Sequence, residues 1–565
     1  MKTRIVCAFL SIASLLLTAT GVAQIQAPQL GLVELPSPPG ASASGASTVD
    51  RAGNVLGTVQ IGSRQEVVKW VGGTNPVIYP RLAADQNVSN KDYSESGTNT
   101  AGAVIGQSFL AATPTTVAIY QGIYWDPGRH PSAVAMSGQL NGISDTGILV
   151  GTVGHDTGGT AARWANQNSQ PAPLPYPSAI DCADPVANEC YSSADAISPN
   201  GKYIVGSANL LDFHSPYGVL WVNGAVVSNY GGYGVGASAV TDSAVIIGSY
   251  DTGVPSQITP FNVRHAFEWE AGTLTDLGAL PGAPAGTAYE SAASSINSSG
   301  VIVGSSQVTG SQFQHAVIWL NGQIVDLHES LASQLPPGFI LYAATSINDS
   351  GEIVLQAVNP DTGESNSYLA KPLIPTHTTI TSNINPSMYG QQIHLVAKVS
   401  PDSGPVPMTG DVSWYDNGAL LGAARMTSIG TSSWEPAGWT GGVHTVTAVF
   451  AGSSTLAGST SPVFRQTVNA SSTRTTISAS ANPATPGQAV SFIATVVPTS
   501  GAIAGTVTFE SGGTVLGTGT LDANTKQAWF TTTFKTTGNY SITAGYVGSQ
   551  NFLPSASSTL TLTVK

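Results

Sequence analysis

The chain has 565 residues, enough for several domains, yet only 9% of them are charged and 63 are glycine. Long surface helices are built with lysine and glutamate, so a chain dominated by glycine, serine and threonine points instead to many short strands joined by turns, an all-β fold. A net charge of -13 disfavours nucleic acid and anionic membrane surfaces as partners.

The first element in chain order reads as a secretory signal peptide over residues 1–23. Lys2 and Arg4 precede an apolar run from Ile5 to Leu17, and small residues follow up to a cleavage position after Ala23. Its loss takes two of the 19 basic residues and leaves 17 against 32 acidic ones. No later apolar run reaches the roughly 18 residues a membrane span requires, so the expected product is exported, monomeric, and either released or held at the cell surface without a transmembrane segment. Cys7 lies at the start of the apolar core of the leader, where a lipid-attachment cysteine is not expected. That leaves Cys182 and Cys190, separated by ADPVANE, which in an oxidising compartment are expected to close a loop as a disulfide worth about 2–3 kcal/mol. A lone pair without histidines at ligand spacing argues against a redox or metal role.

Seven variants of one string follow: Ser47–Thr58, Ser96–Gln107, Asn141–Thr152, Asp195–Ser207, Ser238–Ser249, Ser294–Ser305 (SSINSSGVIVGS) and Thr345–Gln356. Each passes through a polar turn, usually with glycine, into a short aliphatic run, which is the pattern of a β-hairpin. After a variable loop comes an aromatic residue, in order Trp70, Trp125, Trp164, Trp221, Trp269, Trp319 and Tyr368, and then a further short strand. Four-stranded units of this period match β-propeller blades better than solenoid coils, and seven is a common closure number. Each unit is expected to have an apolar inner pair of strands and a more polar outer pair. Leu30–Pro38 (LGLVELPSP) looks like the blade end Leu274–Gly282 (LTDLGALPG) and is expected to complete the last blade.

The stretch Arg264–Gly282 (RHAFEWEAGTLTDLGALPG), with SINSSGVIVGSS after it, resembles the bacterial extracellular HAF repeats, named for the tripeptide seen here as His265-Ala266-Phe267. The resemblance covers roughly residues 30–372 and is clearest in copies five and six. It implies an exported repeat protein and little defined chemistry. The expected fold is a seven-bladed β-propeller over residues 24–372.

Beyond it the repeat lengthens to about 95 residues. Thr378–Val399 matches Thr475–Val496, and Thr409–Gly422 matches Ala504–Gly517, giving domains at 373–469 and 470–565. Alternation places Ile393, Leu395, Ala397 and Val399, and likewise Val490, Phe492, Ala494 and Val496, on buried faces. Trp414 and Phe509 occupy the central aromatic position of an immunoglobulin-like sandwich. Tyr540 resembles its tyrosine corner, with His444 in that place in the first copy. Both domains resemble bacterial Ig-like repeats, and the short joint Val468–Arg474 is expected to make the pair a semi-rigid rod.

Candidate chemistry is sparse. The sialidase signature Ser-x-Asp-x-Gly-x-x-Trp fails at the turns, and no nucleophile-elbow, zinc-protease, P-loop or dinucleotide motif occurs. A glycosidase needs two carboxylates about 5–9 Å apart; Asp212, Glu268, Glu270, Asp276 and Glu290 are candidates whose spacing does not separate them from solvated strand ends. His265 and His315 share one repeat position, which favours packing or hydrogen bonding over ligation. The turn acids are read as caps rather than calcium ligands, and the tryptophans as packing between units. No catalytic, cofactor or metal residue is assigned. Binding is expected in the loops that do not repeat, Leu110–His130, Asn166–Tyr191 and Tyr250–His265. The resulting expectation is a non-enzymatic surface or secreted binding or adhesion protein, its propeller head carried on the Ig-like rod and its ligand a polysaccharide or a protein. A carbohydrate-active enzyme and a structural envelope component are the alternatives.

Overall fold

The repeated string folds as the turn and second strand of a hairpin. In copy six the Asn297 side chain accepts the amides of Ser299 (3.1 Å) and Val301 (3.0 Å), and Gly300 closes the turn at φ +83°, a conformation that glycine reaches without strain. The computed structural model describes residues 28–86, 88, 91–110, 119–154, 159–177, 190–210, 217–255, 262–280, 290–308, 313–403 and 409–565. The signal peptide, Cys182, Asp212 and parts of all three non-repeating loops lie outside them. One compact unit ends at Leu373 and a second begins at Ile374.

The first unit opens with β1 (Leu30–Glu34) and the sheet β2 (Ala41–Val49), β3 (Val55–Ile61), β4 (Arg64–Val71) and β5 (Asn75–Ile78). A seven-stranded sheet follows: β6 (Lys91–Thr98), β7 (Val104–Leu110), β8 (Ile119–Trp125), β9 (Pro131–Ile143), β10 (Leu149–Val153), β11 (Thr160–Trp164) and β12 (Ala172–Pro173). It holds two sequence repeats joined through β9, which pairs β8 along one part of its length and β10 along the other. Three four-stranded sheets come next. They are β13 (Cys190–Ile197), β14 (Tyr203–Leu210), β15 (Tyr217–Val222) and β16 (Ala225–Tyr233); then β17 (Val235–Val240), β18 (Ile246–Pro255), β19 (Asn262–Glu270) and β20 (Thr273–Gly278); then β21 (Ser291–Ile296), β22 (Ile302–Ser306), β23 (His315–Leu320) and β24 (Gln323–Asp326). After the short helix α1 (Leu327–Leu331), β25 (Ile340–Ile347), β26 (Ile353–Val358) and β27 (Ser365–Pro372) form the last sheet, and β1 supplies its fourth strand, with Leu30 opposite Pro372 and Glu34 opposite Tyr368. The likeness of Leu30–Pro38 to a unit end is thus realised as strand pairing.

In every repeat the first strand carries an extra residue against the second at one shared position, Ser47, Ser96, Asn141, Asp195, Ser238, Ser294 and Thr345, and the first and seventh repeats carry a further one at Ser42 and Tyr342. Facing the shared bulge are Gly57, Gly106, Gly151, Gly206, Gly248 and Gly304, with Leu355 in the seventh copy. A methyl group on any of the six glycines would lie 1.9–2.1 Å from a carbonyl oxygen of the first strand. In these six copies the second glycine of the string therefore answers a close backbone approach, while the seventh copy places Leu355 there.

The expected apolar inner pair is corrected by burial. β2 and β6 are largely part-exposed, whereas β3, β15 and β23 are mostly buried; β13, with five of its eight residues buried, is the exception among the first strands. The first strand of each repeat carries small and polar residues at a sheet edge or beside a bulge; the middle strands have neighbours on both sides and packing on both faces, so the aliphatic residues go there.

In the second unit each sandwich has two sheets. The first comprises β28 (Thr376–Ser382), β29 (Ser387–Met388), β30 (Leu395–Pro401), β31 (Asp411–Asp416), β32 (Ala419–Arg425), β33 (Thr431–Trp434), β34 (Gly442–Phe450), β35 (Ser459–Thr460) and β36 (Phe464–Asn469). β28, β30 and β33 pack on the rest, and Leu395, Ala397 and Val399 meet Val412, Trp414, Val446 and Phe450 in the core. The second comprises β37 (Thr473–Ala479), β38 (Ala489–Pro498), β39 (Thr506–Ser511), β40 (Thr514–Thr520), β41 (Gln527–Thr533), β42 (Gly538–Tyr546), β43 (Ser555–Ala556) and β44 (Leu560–Val564). Its core joins Val490, Phe492, Ala494 and Val496 to Val507, Phe509, Ile542 and Leu562. The Tyr540 hydroxyl donates to the Thr536 carbonyl (2.9 Å), and His444 Nε2 stands 3.0 Å from the Thr440 carbonyl, so both corner residues bond the backbone four residues upstream. At the joint, Tyr389 packs edge-on against Phe552 (5.1 Å between ring centroids), and Asn551 Oδ1 accepts the Gly441 amide at 2.7 Å.

Candidate functional site

The residues that recur are used by the scaffold. Asp50 Oδ1 accepts the amides of Ala52 and Asn54, while Asp145, Asp242 and Asp349 accept those of Thr100, Asn200 and Ser298 in the preceding copy's turn. These acids cap turns and link one repeat to the next. Trp70, Trp125, Trp164, Trp221 and Trp319 are buried, and their indole N–H groups donate to the carbonyls of Pro36, Pro80, Ala135, Pro175 and Leu277. Trp269 is only partly buried, beside Tyr230, and Tyr368 is buried with its hydroxyl unpaired.

The histidines at the shared position each meet the aspartate of the next strand: His265 Nδ1 to Asp276 at 2.9 Å and His315 Nδ1 to Asp326 at 2.8 Å. Among the carboxylates weighed as a catalytic set, Asp276 is committed to His265 on the outer strand β20. Glu268 and Glu270 lie on β19, and Glu290 stands just ahead of β21 in the next sheet, its amide donating to Gln307 Oε1 (3.0 Å). Asp212 lies outside the described residues, as does Cys182; Cys190 is buried at the start of β13.

Two carboxylates stand out that spacing did not single out. The position before the bulge is Ala46, Leu140, Ala194, Ala237, Ala293 or Ala344 in six copies and Glu95 in the second. Glu95 Oε1 accepts the Ser47 hydroxyl from β2, Oε2 is buried without a partner, and burial pushes the carboxyl up to about 7. At the bulge itself, six copies carry Ser, Thr or Asn and the fourth carries Asp195. Its carboxylate accepts the Ser193 hydroxyl at 2.6 Å, and burial pushes it up to about 6. The available sequence signal was a break in the repeat: a carboxylate where the other copies hold alanine, leucine or a neutral polar residue.

Where the first and last sheets of this unit meet, a cleft of about 300 Å³ opens. The sheets are tied beside it by Gln356 Nε2 donating to the Ala46 carbonyl (2.9 Å) and Ala46 N–H donating to Ser367 Oγ (3.1 Å). Its polar lining is Ser44, Thr58, Gln60, Gln65, Tyr342, Gln356, Ser365, Asn366 and Ser367, and no charged side chain lines it among the described residues. The Tyr342 hydroxyl donates to Gln356 Oε1 (2.5 Å) and Gln65 Nε2 to Thr58 Oγ1 (2.9 Å), which fixes two amides in orientation. A wall of fixed amides and hydroxyls can exchange hydrogen bonds with a neutral polar ligand without desolvating a charge.

Residues 380–469 and 477–565 each match the bacterial Ig-like domain (group 3), so the C-terminal part of this all-β chain consists of two such domains. No curated protein matches the chain. Among solved structures, the β-propeller domain of the Trilobed protease from Pyrococcus furiosus is 8% identical, with 55% of this chain and 94% of that one covered at a TM-score of 0.35. The Escherichia coli adhesin FdeC is 14% identical, with 38% and 75% covered and a TM-score of 0.17. The fibronectin(III)-like modules of Clostridium thermocellum CbhA are 19% identical, with 33% and 92% covered and a TM-score of 0.15. At such values none of the three lends its activity to this chain. No helix among the described residues is long and apolar enough to cross a membrane.

Proposed function

We propose that the chain is an exported surface or secreted binding protein whose first unit is a seven-bladed propeller of HAF-like repeats, closed by β1, with the Cys182–Cys190 disulfide stiffening one of its loops. The pairing of β1 with β27 and the bonds from the last sheet to the first support closure. The two bacterial Ig-like domains support an extracellular setting. The observation that carries a binding role is the uncharged cleft at the junction of the first and last sheets. Its ligand is a neutral polyhydroxylated chain, a polysaccharide segment, which matches fixed amides and hydroxyls. Full-length protein applied to a glycan array tests this: Gln60→Ala with Asn366→Ala should weaken binding about tenfold or more, the scale of two lost hydrogen bonds. A double variant that binds the same glycans equally well overturns the assignment.

A second reading, a carbohydrate-active enzyme, is favoured by Glu95, a buried carboxyl that holds its proton near neutrality as a general acid must. Polysaccharide turnover abolished by Glu95→Gln would establish it in place of binding alone.

A further inference from the structure

Copies five and six share the histidine–aspartate pair and then diverge. After Asp276 the chain continues as Leu277-Gly278; after Asp326 it runs as Leu327-His328-Glu329 into α1. Asp326 Oδ1 accepts the Glu329 amide at 3.1 Å while Oδ2 meets His315 Nδ1 at 2.8 Å, so one carboxylate organises both neighbours. One nitrogen of His315 and one oxygen each from Asp326 and Glu329 all lie within 4.8 Å of one another. His328 packs edge-on against the His315 ring (4.6 Å between centroids), and its Nδ1 accepts the Leu341 amide at 3.3 Å, which steadies the His315 ring from the other side.

We propose that His315, Asp326 and Glu329 bind a divalent late first-row metal ion of the zinc class. Two carboxylates and a neutral imidazole balance the charge of such an ion, and a nitrogen in the set favours zinc over calcium or magnesium, which take oxygen ligands. Zinc–ligand bonds of about 2.0–2.2 Å need the three atoms closer together, and Glu329, the exposed member of the set, is the ligand that would turn inward over the buried His315. His328 is a positioning residue: its ring packs edge-on against His315 and is itself held by the Leu341 amide. The His265–Asp276 pair, with no glutamate after it, is an internal control within the same chain.

Untagged full-length protein stripped with a chelator and titrated calorimetrically with Zn²⁺ tests this. The wild type should take up a saturable equivalent and melt at higher temperature with the metal. Glu329→Gln, at an exposed position that leaves the metal-free melt unchanged, should lose that equivalent or bind it about tenfold or more weakly. His265→Gln should retain it. Equal uptake by wild type and Glu329→Gln, or no saturable uptake by the wild type, overturns the proposal.

Discussion

Ala244 occupies the turn position filled by glycine in the other six copies, and it does so at φ +66°. A side chain held in the left-handed region costs about 1–2 kcal/mol, part of which glycine recovers and part of which its freer unfolded chain gives back. Ala244→Gly should therefore stabilise the first unit by about 0.5–1 kcal/mol in denaturant titration. Gly304→Ala should act the other way, by about 2 kcal/mol or more, because the new methyl would sit 2.0 Å from the Ala292 carbonyl oxygen. Glu95 and Asp195 belong to the same scale. Folding raises both carboxyls, to about 7 and about 6, so between pH 4 and 7 the folded state holds protons that the unfolded state has released. The contribution of these two groups is then greatest below the window and falls as pH rises through it, by up to about 3 kcal/mol per group, while the lowered carboxyls of Asp85, Asp276 and Asp349 lose theirs only at more acid pH. The first unit should melt higher at pH 5 than at pH 8, and Glu95→Gln should remove a large part of that difference. A variant whose pH dependence matches the wild type would contradict the assignment to Glu95.

At the scale of the element, the hairpin and the sandwich corner are held by bonds that repeat. Tyr540 and His444 reach the same upstream carbonyl from different chemistries, a phenol in one domain and an imidazole in the other. Tyr540→Phe should cost about 1 kcal/mol, the net worth of one hydrogen bond, with the fold intact by circular dichroism. Loss of the whole domain, or no loss of stability, would show that the corner is not what braces this strand. The bulge on each first strand is the other element-level device. It re-aims one small polar side chain per repeat, and in copies two and four the strand beside or at the bulge carries a buried carboxyl instead of a neutral group.

At the scale of the whole molecule, the chain is two units with separate cores, and the two Ig-like domains meet through Tyr389, Phe552 and Asn551. Residues 374–565 expressed alone should unfold cooperatively, within a few degrees of the corresponding transition of the full chain by calorimetry. A fragment without a cooperative transition would show that its stability depends on the first unit.

Most of the fold is legible in one dimension because repetition and period-two alternation are local. The turn glycines, the one large aromatic per unit, the matching of Leu30–Pro38 to a unit end and the buried faces of both sandwiches follow from backbone angles, strand pleat and the cost of exposing apolar groups. Tertiary structure alone decided what the non-local terms control. Which strands of a unit are buried depended on neighbours on either side, and the need for the second glycine on a first-strand carbonyl that leaves no room for a methyl group. The burial of Glu95 and Asp195 and the cleft at the junction of the first and last sheets likewise arise from residues far apart in the chain. Their chemistry comes from desolvation and proximity across sheets, which spacing along the sequence does not encode.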